Sequence, residues 1–78
     1  MTMKELIQTA QALGIKLTNA EEGTELYRAW ADRVEQAEEH DLDLNFARNQ
    51  RGSEAREYTQ EFSAKRDAAV ADANRYAI

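Results

Sequence analysis

Apolar residues recur at Leu6, Ile7, Ala10 and Leu13, the three- and four-residue steps of a single helix face, and Gly14 follows where a left-handed residue would end the helix. The pattern predicts a first helix over residues 2–13, about three turns long. Thr18-Asn19-Ala20-Glu21 then has the form of a capping box, with the Thr18 hydroxyl placed to accept a first-turn amide and Glu21 to reach back to the Thr18 amide. A second helix is expected to begin there, with Leu26, Tyr27, Trp30, Val34 and Ala37 as its apolar line, and to fray near His40. Beyond it, Leu42, Leu44 and Phe46 alternate with Asp41, Asp43 and Asn45, which predicts an extended connector pinning apolar side chains into the core, a strand being the alternative. Ser53 suits the N-cap of a third helix running to about Ala77, with Ala55, Tyr58, Phe62, Ala69, Ala73 and Tyr76 on one face. The expected fold is therefore all-α: a small three-helix bundle, or a helical hairpin with a short N-terminal helix.

Length limits the chain to one domain, residues 1–78, with 42% hydrophobic and 32% charged residues, a globular rather than disordered composition. Without cysteine there is neither a disulfide framework nor a thiolate metal site, so a reducing cytoplasm is the expected location. The first thirteen residues are broken by Glu5, Gln8, Thr9 and Gln11 and do not form the apolar stretch of a signal peptide, and no run approaches membrane-spanning length. A third helix of about 36 Å cannot be covered by a first of about 18 Å. Self-association into a homodimer is expected to bury the remainder, through the alanine-rich end (Ala64, Ala68, Ala69, Ala71, Ala73) with Val70, Tyr76 and Ile78.

Candidate chemistry is sparse. Residues 9–15, Thr9-Ala10-Gln11-Ala12-Leu13-Gly14-Ile15, resemble the first helix and turn of a helix-turn-helix. The helix that would enter the major groove, however, opens on Glu21, Glu22 and Glu25, which DNA would repel, so a DNA regulator is a minor alternative. Asp41, Asp43, Asn45 and Asn49 have the alternate oxygen spacing of a calcium loop, but Phe46 stands where that loop turns on glycine and Gly52 where its glutamate belongs. His40, the single histidine, lacks a nucleophile or metal partner and reads as a last-turn residue facing the helix dipole. Ser53 and Ser63 lie in no nucleophile motif and no glycine-rich phosphate loop is present. The expectation is a protein that is not an enzyme and uses no metal or cofactor. Trp30 reads as core, whereas Tyr27 fits either the core or an aromatic binding patch.

Charge is distributed unevenly. Net charge is −5 over the chain, but residues 18–43 hold nine acidic residues against Arg28 and Arg33, net −7, while residues 44–66 hold five basic and three acidic, net +2. At 100° per residue Glu21, Glu25, Asp32, Glu35 and Glu39 fall on one stripe opposite Leu26, Trp30 and Val34. Such a stripe is either a solvated face, partly neutralised by Arg48, Arg51 and Arg56, or a row of carboxylates imitating a phosphate backbone. The second reading makes the chain a protein-binding inhibitor or regulator that docks these five residues on a basic partner protein, a nucleic-acid-binding protein being one such partner, without contacting nucleic acid or membrane itself. Small size, acidity and helicity together resemble the proteins that phages and mobile elements direct against host nucleic-acid machinery, anti-CRISPR inhibitors among them. That resemblance is one of type and implies an inhibitory role; a helical self-association module is the alternative.

Overall fold

The computed structural model describes residues 2–49 and 53–77, with side chains described for residues 2–49 and 56–77. Three helices follow in order: α1 (Met3–Ala12), α2 (Glu25–Arg48) and α3 (Ser53–Arg75), with no strand among the described residues. The molecule is elongated, 45 × 21 × 16 Å. The all-α expectation holds, in its hairpin form with a short N-terminal helix: α2 and α3 make the hairpin and α1 packs against α2.

Local chemistry sets where each helix starts and stops. Thr2 caps α1, its Oγ1 accepting the Glu5 amide at 3.2 Å. At the other end Gly14 takes φ +73°, the Ile15 amide donates to the Ala10 carbonyl at 2.8 Å and the Gly14 amide to Gln11 at 3.2 Å. These are the paired bonds of a Schellman motif, and the apolar contact that accompanies it is Ile15 on Ala10, both buried.

The second helix begins later than the sequence suggests. Thr24, not Thr18, is the cap: its Oγ1 accepts the Tyr27 amide at 3.2 Å and donates to the Glu21 carbonyl at 2.7 Å. Gly23, at φ +89°, explains the shift, because a helix begun at Thr18 would need helical backbone where the chain turns left-handed. Thr18 has other work, accepting the Ala20 amide at 3.1 Å and donating to the Tyr76 carbonyl at 3.0 Å.

The expected connector over 41–46 is instead helical, since α2 continues without a break to Arg48. Tyr27, Trp30, Val34, Ala37, Asp41 and Leu44 step by three and four residues, the spacing of a coiled-coil seam. All are buried except Asp41, which is half-buried and ion-paired with Arg66 at 3.1 Å. On α3 the matching seam is Phe62, Arg66, Ala69 and Ala73, continued by Tyr76 just past the helix end. Arg33 lies 4.7 Å over the Tyr76 ring, Asp41 meets Arg66, and Phe46 and Phe62 line one cleft, so numbers rise on α2 as they fall on α3 and the pair is antiparallel. The third helix ends at Arg75, close to the expected Ala77. Ser53 is its first helical residue rather than the residue before it, and its side chain lies outside the described residues, as does Ala55.

The main core cluster lies at the open end of the hairpin: Leu6 and Ala10 of α1, Ile15 of the loop, Tyr27, Trp30, Val34 and Ala37 of α2, and Ala69 and Ala73 of α3, with Leu44 and Ala47 buried apart from it further along α2. Ala69 and Ala73, expected at a dimer interface, thus belong to the intramolecular core, where small side chains let α3 approach α2 closely. Lys16 ties this end together. Its amide donates to Asn74 Oδ1 at 2.8 Å and its carbonyl accepts from Trp30 Nε1 at 3.0 Å, so one loop residue is held by both long helices.

Candidate docking surface

On α2 the side opposite the seam is a regular ridge. Glu25, Asp32, Glu39 and Phe46 recur every seven residues, the same interval that generates the seam, and Arg28, Glu35 and Leu42 form the adjacent line. Every one of these side chains is exposed. Four of the five expected acidic site residues therefore share a face. The fifth, Glu21, is exposed but precedes the helix and lies off the ridge.

Asp32 engages its own neighbours, Arg33 at 3.5 Å and Gln36 at 3.1 Å. Glu25, in the first turn, lies where the helix dipole favours a carboxylate. No ion pair reaches Glu25, Glu35 or Glu39 among the described residues. Arg48 and Arg56, expected to neutralise the face, are exposed and make no ion pair there; Arg51 lies outside the described residues.

The ridge ends on two large apolar side chains, Leu42 at 61% exposure and Phe46 at 68%. Beside them is an open cleft of about 350 Å³ lined by Asp43, Phe46 and Ala47 of α2 and by Tyr58 and Phe62 of α3. The Tyr58 and Phe62 rings stack at 6.4 Å, and Lys65, paired with Glu61 at 3.0 Å, lies 5.7 Å over the Phe62 ring. Coverage explains why the cleft is open: α1 spans about 15 Å against about 36 Å for α2, and the core it joins lies at the other end of the hairpin.

Other candidates resolve differently. Asp41 and Asp43 lie two residues apart on one helix, so Asp41 points towards Arg66 and Asp43 outwards, which dissolves the calcium-loop pattern; Gly52 lies outside the described residues. No three His, Asp or Glu side chains among the described residues are grouped to hold a metal ion. His40 stands inside α2, not in its last turn, half-buried with Nδ1 in the interior and no hydrogen-bond partner. Tyr27 is core: it packs on Trp30 with centroids 5.7 Å apart, and its buried hydroxyl also lacks a partner. Burial, and then the nearby Glu22 carboxylate, push the Tyr27 phenol above its usual pKa. Ser63 is half-buried in mid-helix. Among the described residues no helix is long and apolar enough to cross a membrane.

Leu42 and Phe46 are the surface residues that sequence reasoning assigned to the interior. Their signal was present: they stand four residues apart, and Phe46 follows Glu39 by seven, which places both on the acidic side of a continuous helix. No protein-family model, no curated protein and no solved structure matches this chain.

Proposed function

We propose that the chain is a non-enzymatic protein-binding regulator that docks the outer ridge of α2 on a basic surface of a partner protein. One observation carries the reading: Leu42 and Phe46, each more than half exposed, share a face with Glu25, Glu35 and Glu39, carboxylates that make no ion pair among the described residues although Arg28 stands on the same ridge. An apolar anchor beside a charged rim is how recognition surfaces are composed, whereas a merely solvated face has no use for an exposed phenylalanine and leucine one turn apart. The carboxylates would speed encounter with a basic partner, and the apolar pair would set how long the complex lasts. A groove built for nucleic acid is a surface of that charge, so the chain acts as an inhibitor occupying it, in the cytoplasm and in the manner of small phage or mobile-element proteins.

The test uses the partner once isolated by affinity capture. Replacing Glu25, Glu35 and Glu39 together by Gln is expected to weaken binding by about tenfold, mainly through slower association, and to flatten its salt dependence. Helicity by circular dichroism should not change, because these side chains face water and Thr24 still caps the helix. Wild-type affinity with an unchanged salt slope would reduce the ridge to a solvated face.

A further inference from the structure

The cleft lined by Phe46, Ala47, Tyr58 and Phe62 is filled by none of the described side chains, and its surroundings discriminate among occupants. A small molecule would need several convergent donors and acceptors to orient it, and the wall supplies the Asp43 carboxylate and the Tyr58 hydroxyl amid apolar and aromatic surface. A second copy of this chain is limited by area. Leu42, Phe46 and Tyr58 are between 51% and 68% exposed. With aromatic side chains burying about 150–250 Å² in full, the three offer on the order of 300 Å², well under the roughly 800 Å² that each partner gives to a standard interface. The rest of a symmetric interface would have to come from surface beside the cleft, where the acidic ridge lies on one side and the exposed Arg48, Arg56 and Lys65 on the other.

That ridge favours a different occupant. Glu35, Glu39 and Asp43 follow one another at four-residue steps along α2, and the last of them lies on the cleft wall. Carboxylates at this pitch match lysines or arginines at the same pitch on another helix. A helix that carries them beside an apolar edge would place that edge over Phe46 and Tyr58, the helix-in-groove mode of recognition.

We infer that the cleft seats the apolar edge of a basic amphipathic helix belonging to the partner, with Glu35, Glu39 and Asp43 facing its lysines or arginines. The inference rests on the α2 ridge being the docking surface and adds the chemistry of what docks there. The probe is a synthetic helical peptide of about five turns, with leucines on one face and lysines every fourth residue along its edge. A control of identical composition has its order permuted to destroy the helical period. Fluorescence anisotropy with the full chain should show the periodic peptide binding at least about tenfold more tightly than the permuted one, and Phe46→Ala and Tyr58→Ala should each remove most of that advantage. Both side chains are half exposed or more, so helicity should survive, and either variant suffices if the other fails to fold.

Glu35→Gln with Glu39→Gln should weaken both peptides and lower their salt dependence. Equal binding of the two peptides, or no effect of either cleft variant, overturns the inference while leaving the acidic ridge intact as a docking face. Loss on cleft mutation with no response to the glutamine changes overturns the basic partner of both readings. A stable dimer in sedimentation that Phe46→Ala dissolves assigns the cleft to a second copy and overturns the inference as well.

Discussion

Lys16 is held at both ends of its backbone, and cutting one of those bonds is the most informative perturbation of the fold. Trp30→Phe removes the Nε1 donor that holds the Lys16 carbonyl at 3.0 Å and shrinks a side chain that is 1% exposed. The hydrogen bond is worth about 1 kcal/mol net, because Lys16 lies at the surface and water can replace the indole. The smaller ring leaves a void that costs a further 1 to 2 kcal/mol or so. A loss of about 2 to 3 kcal/mol is a large part of the roughly 4 to 12 kcal/mol that a chain of this size has available, and should lower Tm by on the order of 10 °C or more. Asn74→Ala, which frees the Lys16 amide, should cost about 1 kcal/mol. Both bonds position the same residue, so each is weaker once the other is broken, and the double variant should lose less than the two single losses combined by at least about 0.5 kcal/mol. Urea unfolding followed by far-UV circular dichroism measures all four proteins, since Trp30 is the only tryptophan. A Trp30→Phe loss below about 1 kcal/mol, or additivity within about 0.3 kcal/mol, would refute the clasp as a cooperative element.

Tyr27→Phe should be neutral or stabilising by up to about 1 kcal/mol, because it deletes a buried hydroxyl that has no partner, and a clear loss in thermal melts would mean that the hydroxyl is bonded after all. The same phenol, held above its usual pKa of 10 by burial and Glu22, keeps its proton in the folded state where the unfolded chain releases it. Stability should therefore fall as pH rises through 10, and less steeply in Tyr27→Phe; parallel alkaline titration curves would contradict this. Gly14→Ala should cost about 1 kcal/mol through the left-handed φ alone, since an added Cβ meets nothing within 4 Å, and Gly14→Asn should cost less, as read from chemical denaturation. A double-mutant cycle on Asp41 and Arg66, both about one-quarter exposed, should give no more than about 1 kcal/mol of coupling, reduced by salt; a coupling above 2 kcal/mol or so would mark a far drier pair.

The three-helix layout was legible because its strongest signals are local: the periodic run into Gly14, the Trp30-Val34-Ala37 line and the alanine-rich third helix. What misled was a choice between two threonines. Thr18 heads a better capping sequence than Thr24, but only the fold reveals that Thr18 is committed to the Tyr76 carbonyl fifty-eight residues away. The continuation of α2 was concealed by Asp41, a polar residue in a seam position whose partner on α3 cannot be read locally. With the seam interrupted, Leu42, Leu44 and Phe46 alternated as in an extended connector; in the helix Leu44 faces inwards and the other two outwards. The acidic face was visible from spacing alone, whereas the cleft at its end required the register of two helices.

The pairing of the Lys16 and Thr18 loop with Asn74 and Tyr76 also bears on how the chain is made. Synthesis delivers the loop long before the residues that hold it, so α1 and α2 leave the ribosome with Leu6, Ile15 and Trp30 still lacking Ala69 and Ala73 to close over them. Local helices can form early, but the apolar surface they share stays wet until residues 69–76 have emerged. Nascent chains stalled at increasing lengths should accordingly resist protease, and pull on an arrest sequence, only once residues 69–76 have cleared the exit tunnel. Chains truncated before Asn74 should remain open at the end of the hairpin where the core cluster lies.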